Sequence, residues 1–280
     1  MTYLRIGTLN LWGDSHKRLE RLERAARWVN AHNIDVLAVQ EITPLDDTTT
    51  ATRLCELSGF HHATPIETPD GQMSTCAVLT KEEELTKPSE LLVLPRLTWD
   101  KRQMFAAVCH VTVGGIDLPV ASTHLAWGSL NEVVRLEQAR WLSGYFDGLL
   151  GVSEAEAPAI LCGDMNAWPD SDSMRYLRGR TALTPAALWT DVWDHPLDPA
   201  DNGATSSATN PYAIHTALNM RAGRDAVLDA TLLPERRIDY IFSRGWRHGR
   251  VFTPTNTTVI RDPLMSDHFA LVTDLVLDHQ

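Results

Sequence analysis

The sequence predicts an α/β protein with its sheets inside and its helices outside. Short, continuously apolar runs such as Val36 to Gln40 and Ala159 to Cys162 suit strands buried on both faces. Between them lie stretches whose apolar residues recur at helical spacing. This helix-then-strands order occurs twice, roughly on either side of residue 140, with no fixed-period repeat, low-complexity tract or Pro-rich linker dividing the chain. The expectation is one domain, 1–280, built of two similar halves meeting near residue 140.

The elements follow in order. Leu4 to Asn10 reads as a short apolar strand. Asp14 or Ser15 can cap the next helix, which runs through His32 with Leu19, Leu22, Ala26 and Val29 at helical spacing. After the strand Val36 to Gln40, Asp46 and Asp47 open a second helix that Gly59 closes. Thr75 to Thr80, Leu91 to Leu94, Met104 to Val113 and Leu118 to Ser122 are strand-like, with Gly114-Gly115 as a hairpin turn between the last two. A long helix covers Ser129 to about Leu150, with Val134, Trp141, Leu142, Tyr145 and Phe146 on one side, and the segment from Gly151 to Pro158 ends it. Ala159 to Cys162 is a strand, and Ser171 to Leu177 a short capped helix. From Arg178 to Glu235 the signals thin into Pro, Gly, Asn, Ser and Thr, a length that in a compact protein usually serves function. Ile238 to Ser243 and Phe269 to Leu277 return to strand patterning.

Composition narrows the function classes. The 280 residues carry 25 Lys and Arg against 36 Asp and Glu, a formal charge of −11. That balance argues against binding nucleic acid or anionic membrane through bulk charge, though not against a focused phosphate site. Cys55, Cys76, Cys109 and Cys162 are irregularly spaced and read as buried small hydrophobes rather than disulfides or metal ligands. The N-terminus runs straight into a strand pattern, without a signal-peptide layout. The longest uncharged stretch, Asn202 to Met220, is too polar for a membrane span. A soluble, cytoplasmic, monomeric protein is expected, with secretion after removal of a leader left open.

Polar residues cluster where the strands end: Asn10, Gln40-Glu41, Thr123-His124, Gly163-Asp164-Met165-Asn166, Asp239 and Ser266-Asp267-His268. Singly, each has a bland alternative. Asn10 can form a turn, Glu41 can be the first solvated residue after its strand, and Asp239 can pair with Arg236 or Arg237. Together they can converge on one rim as an oxygen-rich pocket suited to a hard cation such as magnesium, with histidines placed to bond phosphate oxygens.

Read in order, LNLW, VLAVQEI, STHL, LCGDMNAWPDSDS, RRIDYIFS and MSDHFALV resemble the endonuclease/exonuclease/phosphatase superfamily from Ile6 to Leu275. The resemblance implies a four-layer αββα sandwich, two packed mixed β-sheets flanked by helices, with the site at one end of the sheets. It implies Glu41 as principal magnesium ligand, manganese being an acceptable substitute, with Asn10 next to it and Asp267 helping from the far side. Asp164 matches the acid that orients or deprotonates the attacking water, and Asn166 the amide that holds the nucleophile or a phosphate oxygen. His268 matches the histidine on the scissile phosphate, with Asp239 behind it, and His124 a second phosphate-binding histidine. The base is either Asp164 or the Asp239–His268 pair. Arg135 and Gln138 match an R-x-x-Q pattern, as substrate contacts or as supports.

Two departures stand out. Where many members have Gly-Asn before an apolar strand, this chain has Thr75-Cys76, with no acid there to partner His124. The stretch between Asn166 and Asp239 is long and polar, which points to a specificity loop around Asn202 to Arg224. The acidic balance favours a small or lipid-like phosphorylated substrate over a long nucleic acid, whose binding rests on several phosphate contacts. A DNA or RNA nuclease is the alternative, since arginines such as Arg175, Arg178, Arg236 and Arg237 flank the motifs. A catalytically inactive binding module is the third reading. Trp12, Trp127 and Trp168 each follow a motif closely and either line the pocket mouth or belong to the core.

Overall fold

The computed structural model describes residues 2–64, 66–67, 71–82, 84–97, 102–128, 130–150, 158–220, 233–245 and 250–279. In order they form β1 (Thr2–Asn10), α1 (Arg18–Ala31), β2 (Val36–Gln40), β3 (Pro44–Leu45), β4 (Thr48–Thr49), α2 (Thr50–Ser58), β5 (His62–Ala63), β6 (Cys76–Thr80), β7 (Glu90–Val93), β8 (Phe105–Val113) and β9 (Ile116–His124). There follow α3 (Glu132–Leu150), β10 (Ala159–Asp164), α4 (Asp172–Leu177), β11 (Thr190–Asp191), a 3₁₀ turn (Val192–Asp194), α5 (Pro211–Met220), β12 (Asp239–Arg244), β13 (Arg250–Ile260) and β14 (Ala270–His279).

Two six-stranded sheets pack face to face, in the orders β13-β14-β1-β2-β6-β5 and β11-β12-β10-β9-β8-β7. Both are mixed: α1 lets β1 and β2 run parallel, α3 does the same for β9 and β10, and the other pairs are antiparallel. The period-2 alternation of the strands sorts their side chains into three cores. Val36, Ala38, Ile160 and Cys162 face between the sheets, with Ile6, Val120, Ile241 and Leu271. Leu37 and Val39 point the other way, onto Leu22, Trp28 and Val29 of α1 and Leu54 of α2. Leu161 and Phe242 meet Leu142 and Phe146 of α3 and Met174 of α4. The result is the four-layer αββα sandwich. All four cysteines are free and buried. Among the described residues no helix is long and apolar enough to cross a membrane.

Local differences from the sequence reading have local causes. Lys17, in a left-handed conformation, precedes α1 without a side-chain cap, while Asp14 instead accepts from the His16 N–H at 2.7 Å. Leu19 is 57% exposed, and the buried face of α1 includes Arg21 and Trp28. Asp46 and Asp47 form the turn of the β3–β4 hairpin, so α2 begins later, capped by Thr49 accepting from Thr52 N–H. On α3, Val134, Leu142 and Phe146 are buried as expected, but Trp141 is exposed and stacks on Tyr145. β13 was not read as a strand. It carries Pro254 and lies at the sheet edge, where a missing donor is tolerated. The long segment between α4 and β12 holds β11 and α5. Gly114 and Gly115 both take positive φ in the β8–β9 hairpin, as their sequence predicts. Ser129, most of the Gly151 to Pro158 segment, Arg247 and the end of the 202–224 stretch from Arg221 on lie outside the described residues.

Candidate active site

Strand register sets the rim. In the second sheet Asp164 at the end of β10 is the Cα partner of His124, at the end of β9, and of Asp239, at the start of β12. Three predicted residues therefore stand in one row across adjacent strands. The row depends on Gly163, φ 146°, because a Cβ there would lie 1.9 Å from the Thr123 carbonyl oxygen. In the first sheet Asn10 pairs with Gln40, and Glu41 follows. Trp12, Glu41 and Asn166, each just past a strand end, all take positive φ near 50 to 60° (58°, 56° and 49°), a costly backbone state that clusters at functional sites.

The side chains converge on Asp164. Its Oδ2 accepts from Asn10 Nδ2 at 3.1 Å and lies 3.5 Å from His124 Nε2 and 3.9 Å from His268 Nδ1. Its Oδ1 accepts from the Asn166 N–H at 2.9 Å. Asn10 is fully buried and bridges: Nδ2 also donates to Glu41 Oε1 at 3.0 Å, while Oδ1 accepts from Trp12 N–H at 2.8 Å. Glu41 Oε2 accepts from Gly13 N–H at 2.8 Å. Asn166 Nδ2 donates to the Leu125 carbonyl at 3.1 Å. His268 Nδ1 sits 2.9 Å from Asp239 Oδ2, so Asp239 serves this histidine and is not a surface partner of Arg236 or Arg237. Glu41, His124, Asp164, Asn166, Asp267 and His268 line one cleft of about 880 Å³; Asn10 and Asp239 are buried behind it.

The electrostatics are those of crowded acids. Burial pushes Asp239 above the usual carboxylate range, with the Asp164 charge adding to it and His268 pulling against it. Burial raises Asp267 to about 6, helped by the negative charge of Glu41. Burial alone would lower His268, but the carboxylates of Asp239 and Asp164 raise it well above an ordinary histidine, favouring imidazolium. Asp239 Oδ1 is buried with no hydrogen-bond partner among the described residues. Two sets of donor atoms, on Glu41, His124 and Asp164 and on Asp164, Asp239 and His268, each lie within 4.8 Å of one another. A donor set dominated by carboxylate oxygens, gathered beside the raised carboxyls of Asp239 and Asp267, fits a hard divalent cation. Asp267 faces the same cleft, its oxygens accepting from Thr216 Oγ1 at 2.8 Å and Ser266 Oγ at 3.2 Å.

The first departure noted in the sequence resolves here: Cys76 is a buried thiol pushed up to about 12 by burial, and the acid beside His124 is Asp164 from the next strand. Arg135 and Gln138 both bond loop backbone, and Arg135 also lines the cleft. Arg135 Nη1 donates to the carbonyls of Ala126 and Gly128, and Gln138 bonds the Ala126 N–H and the Pro95 carbonyl. Beside them Glu132 accepts from Arg135 Nε and from the Ser173 N–H, tying the start of α3 to α4. Sequence reasoning missed Arg21, a buried guanidinium donating to the carbonyls of Leu11, Trp12, Asp14 and His16 in the loop after β1. It also missed α5, whose Ala213, Thr216 and Ala217 form part of the cleft wall. An arginine placed inside an otherwise apolar helix face was the available signal for the first.

The sequence pattern of the endonuclease/exonuclease/phosphatase family matches residues 7–268. The chain belongs to this family. Family members are in general hydrolases of phosphate esters. Solved structures agree on the fold. An endonuclease/exonuclease/phosphatase from Bacteroides vulgatus superposes with a TM-score of 0.72 at 17% identity, covering 99% of this chain and 100% of that one. A humanized TDP2 of D. rerio gives 0.70 at 19%, covering 98% and 99%. Truncated TDP2 of Caenorhabditis elegans gives 0.68 at 16%, covering 98% and 97%. No curated protein matches the sequence.

Proposed function

We propose that this family member is a magnesium-dependent phosphoesterase, manganese substituting, that cleaves a phosphate ester by in-line attack of a water oriented by Asp164. The observation that carries this reading is the placement of Asp164 Oδ2 between two histidines and the amide of Asn10. Glu41 would hold the metal, with Asn10 beside it and Asp267 across the cleft. When bound, such a cation offsets the charge of the phosphate oxygens that otherwise repel a nucleophile.

The chain's own groups supply the rest. Asp164 holds the water and accepts its proton as the oxygen adds to phosphorus and the ester P–O bond breaks, the leaving oxygen taking a proton from solvent water to depart as the alcohol. His268, kept cationic by Asp239, donates to a phosphate oxygen, and Asp239 fixes which ring nitrogen faces the cleft. His124 and the amide of Asn166 hold further oxygens from the opposite side of Asp164. The acidic exterior supports a small phosphorylated substrate over a long polyanion.

The test is hydrolysis of bis(p-nitrophenyl) phosphate and of a panel of nucleotide, inositol phosphate, sphingomyelin, oligonucleotide and plasmid substrates, with magnesium and with chelator. Activity that needs magnesium supports the reading, and preference for plasmid or oligonucleotide would replace the small-substrate assignment with a nuclease. Inactivity on every phosphoester would return the chain to a binding role. Glu41→Gln should raise the magnesium concentration needed for half-maximal rate at least tenfold; an unchanged metal titration removes Glu41 from the metal site.

A further inference from the structure

Beside the catalytic carboxylates lies a smaller compartment of about 220 Å³, lined by Arg102, Met104, Ala126, Trp127, Gly128 and Asn131. Arg102, Met104, Trp127 and Gly128 also line the main cleft, so the two share a wall just past His124. Trp127 is 39% exposed although the loop beneath it is firmly held. Arg135 bonds the carbonyls on both sides of it at 2.9 and 2.8 Å, Gln138 bonds the Ala126 N–H at 2.9 Å, and Asn131 Nδ2 bonds the Trp127 carbonyl at 2.7 Å. A fixed backbone that presents an indole to solvent is the arrangement a stacking platform requires, since little ordering cost remains for binding.

The chemistry of the compartment selects its occupant. Arg102 lies over the Trp127 ring with Cζ 3.9 Å from the centroid, a planar cation on an aromatic face. The volume falls below the ~300 Å³ at which small-molecule pockets usually begin, so it suits one group of a larger ligand. An acyl chain would need a longer apolar channel and would gain nothing from the guanidinium. A flat ring gains stacking with the indole and tolerates the cation beside it.

We propose that this compartment is a subsite for a planar aromatic ring carried by the substrate next to its scissile phosphate, stacked against Trp127 and Arg102. The proposal rests on the phosphoesterase reading and narrows its substrate to a ring-bearing phosphate ester, nucleoside or aryl, over a lipid one.

Calorimetric titration of the magnesium-loaded full chain with phosphonates, which cannot be hydrolysed, tests it. Methylphosphonate reports the phosphate site alone, hexylphosphonate a chain, phenylphosphonate an aryl ring, and the methylenephosphonate analogue of adenosine monophosphate a nucleoside. The ring-bearing compounds are expected to bind about tenfold or more tightly than the methyl and hexyl compounds, and the stronger of the two identifies the ring's source. Trp127→Ala should erase that margin, Trp127→Phe should keep most of it, and methylphosphonate binding should be unchanged in both. A margin that survives Trp127→Ala, or hexylphosphonate binding as tightly as phenylphosphonate, overturns the subsite while leaving the phosphate site standing. Failure of methylphosphonate itself to bind overturns the phosphoesterase reading, and the subsite with it.

Discussion

The two ends of the sheets use charged residues in opposite ways. At the end away from the cleft, acids are neutralised by bases: Arg5 of β1 pairs with Asp274 of β14 at 2.6 Å, and Lys87 and His110 flank Asp117 at the start of β9. At the cleft end, Glu41, Asp164, Asp239 and Asp267 crowd together, and two buried arginines, Arg21 and Arg135, donate to loop carbonyls. Arg21 holds the loop after β1 and Arg135 the loop after β9. The direction of the pKa shifts follows. The Arg5 guanidinium holds Asp274 below the usual range, whereas burial raises Asp239 and Asp267. Arg21 and Arg135 thus brace backbone, while the groups facing the four acids across the cleft are His268 and the wall arginines Arg102 and Arg236. Four acids gathered in this way are the part of the cleft that a hard cation would complement.

The contrast breaks most sharply at Asp164. Asp164→Ala should lower kcat by roughly two to four orders of magnitude with little loss of folding, because the residue serves the site end and no far-end pair. Steady-state kinetics of the purified variant check this, and full activity would remove Asp164 from the reaction. Arg21→Met tests the bracing role. It strands four carbonyls, two of them buried and two part-buried, so a loss of stability of about 3 kcal/mol is expected from denaturant unfolding. A loss below about 1 kcal/mol would mean that the loop after β1 holds itself.

The cleft end was largely legible in the sequence, the far end was not, and what was missed has a physical pattern. Asn10, Glu41, His124 and Asp164 stood out because each sits where an apolar run stops, and Asp239 because it opens one; register then lines up His124, Asp164 and Asp239. The fold was legible for the same reason, since strands buried on both faces announce themselves. Arg21 was not, because periodicity marks a face as buried but does not say that a guanidinium can lie on it once four carbonyls surround it. The α5 wall was not legible either. Thr216 of α5 bonds Asp267, and Asn210 just before the helix bonds the Ser266 carbonyl, tertiary partners that no local pattern encodes. β13 was hidden by its proline, which only its edge position permits.

Asp267 allows the imbalance to be measured directly. In the metal-free protein its carboxyl titrates near 6, above the ~3.9 of an unfolded chain. Between those values the folded state holds more protons than the unfolded one, so this group's contribution to stability falls as pH rises through 6. Asp267→Asn should therefore raise the melting temperature of the chelator-treated protein at pH 7.5, by a free energy on the order of 3 kcal/mol, and have little effect near pH 4. Magnesium should stabilise the parent protein more than the variant. A variant less stable than the parent at pH 7.5 without metal would show that Asp267 is already compensated, and the two ends would no longer differ.

The opposite sign is expected at the far end, with the smallest magnitude. Arg5 donates to both oxygens of Asp274 and Asn256 Nδ2 adds a third bond, and together these hold the folded pKa below that of the unfolded chain. The stabilisation is thus fully present above ~3.9 and is lost as pH falls through the depressed folded value. Because Arg5 is a third exposed, solvent screening limits the pair to about 1 kcal/mol. Asp274→Asn should cost about that much near pH 7, with the difference from the parent closing as both approach pH 2. Urea unfolding at the two pH values measures it. A gap that instead widens in acid would give Asp274 the raised pKa of the cleft acids, and the division of labour between the two ends would fail at the residue where it is easiest to see.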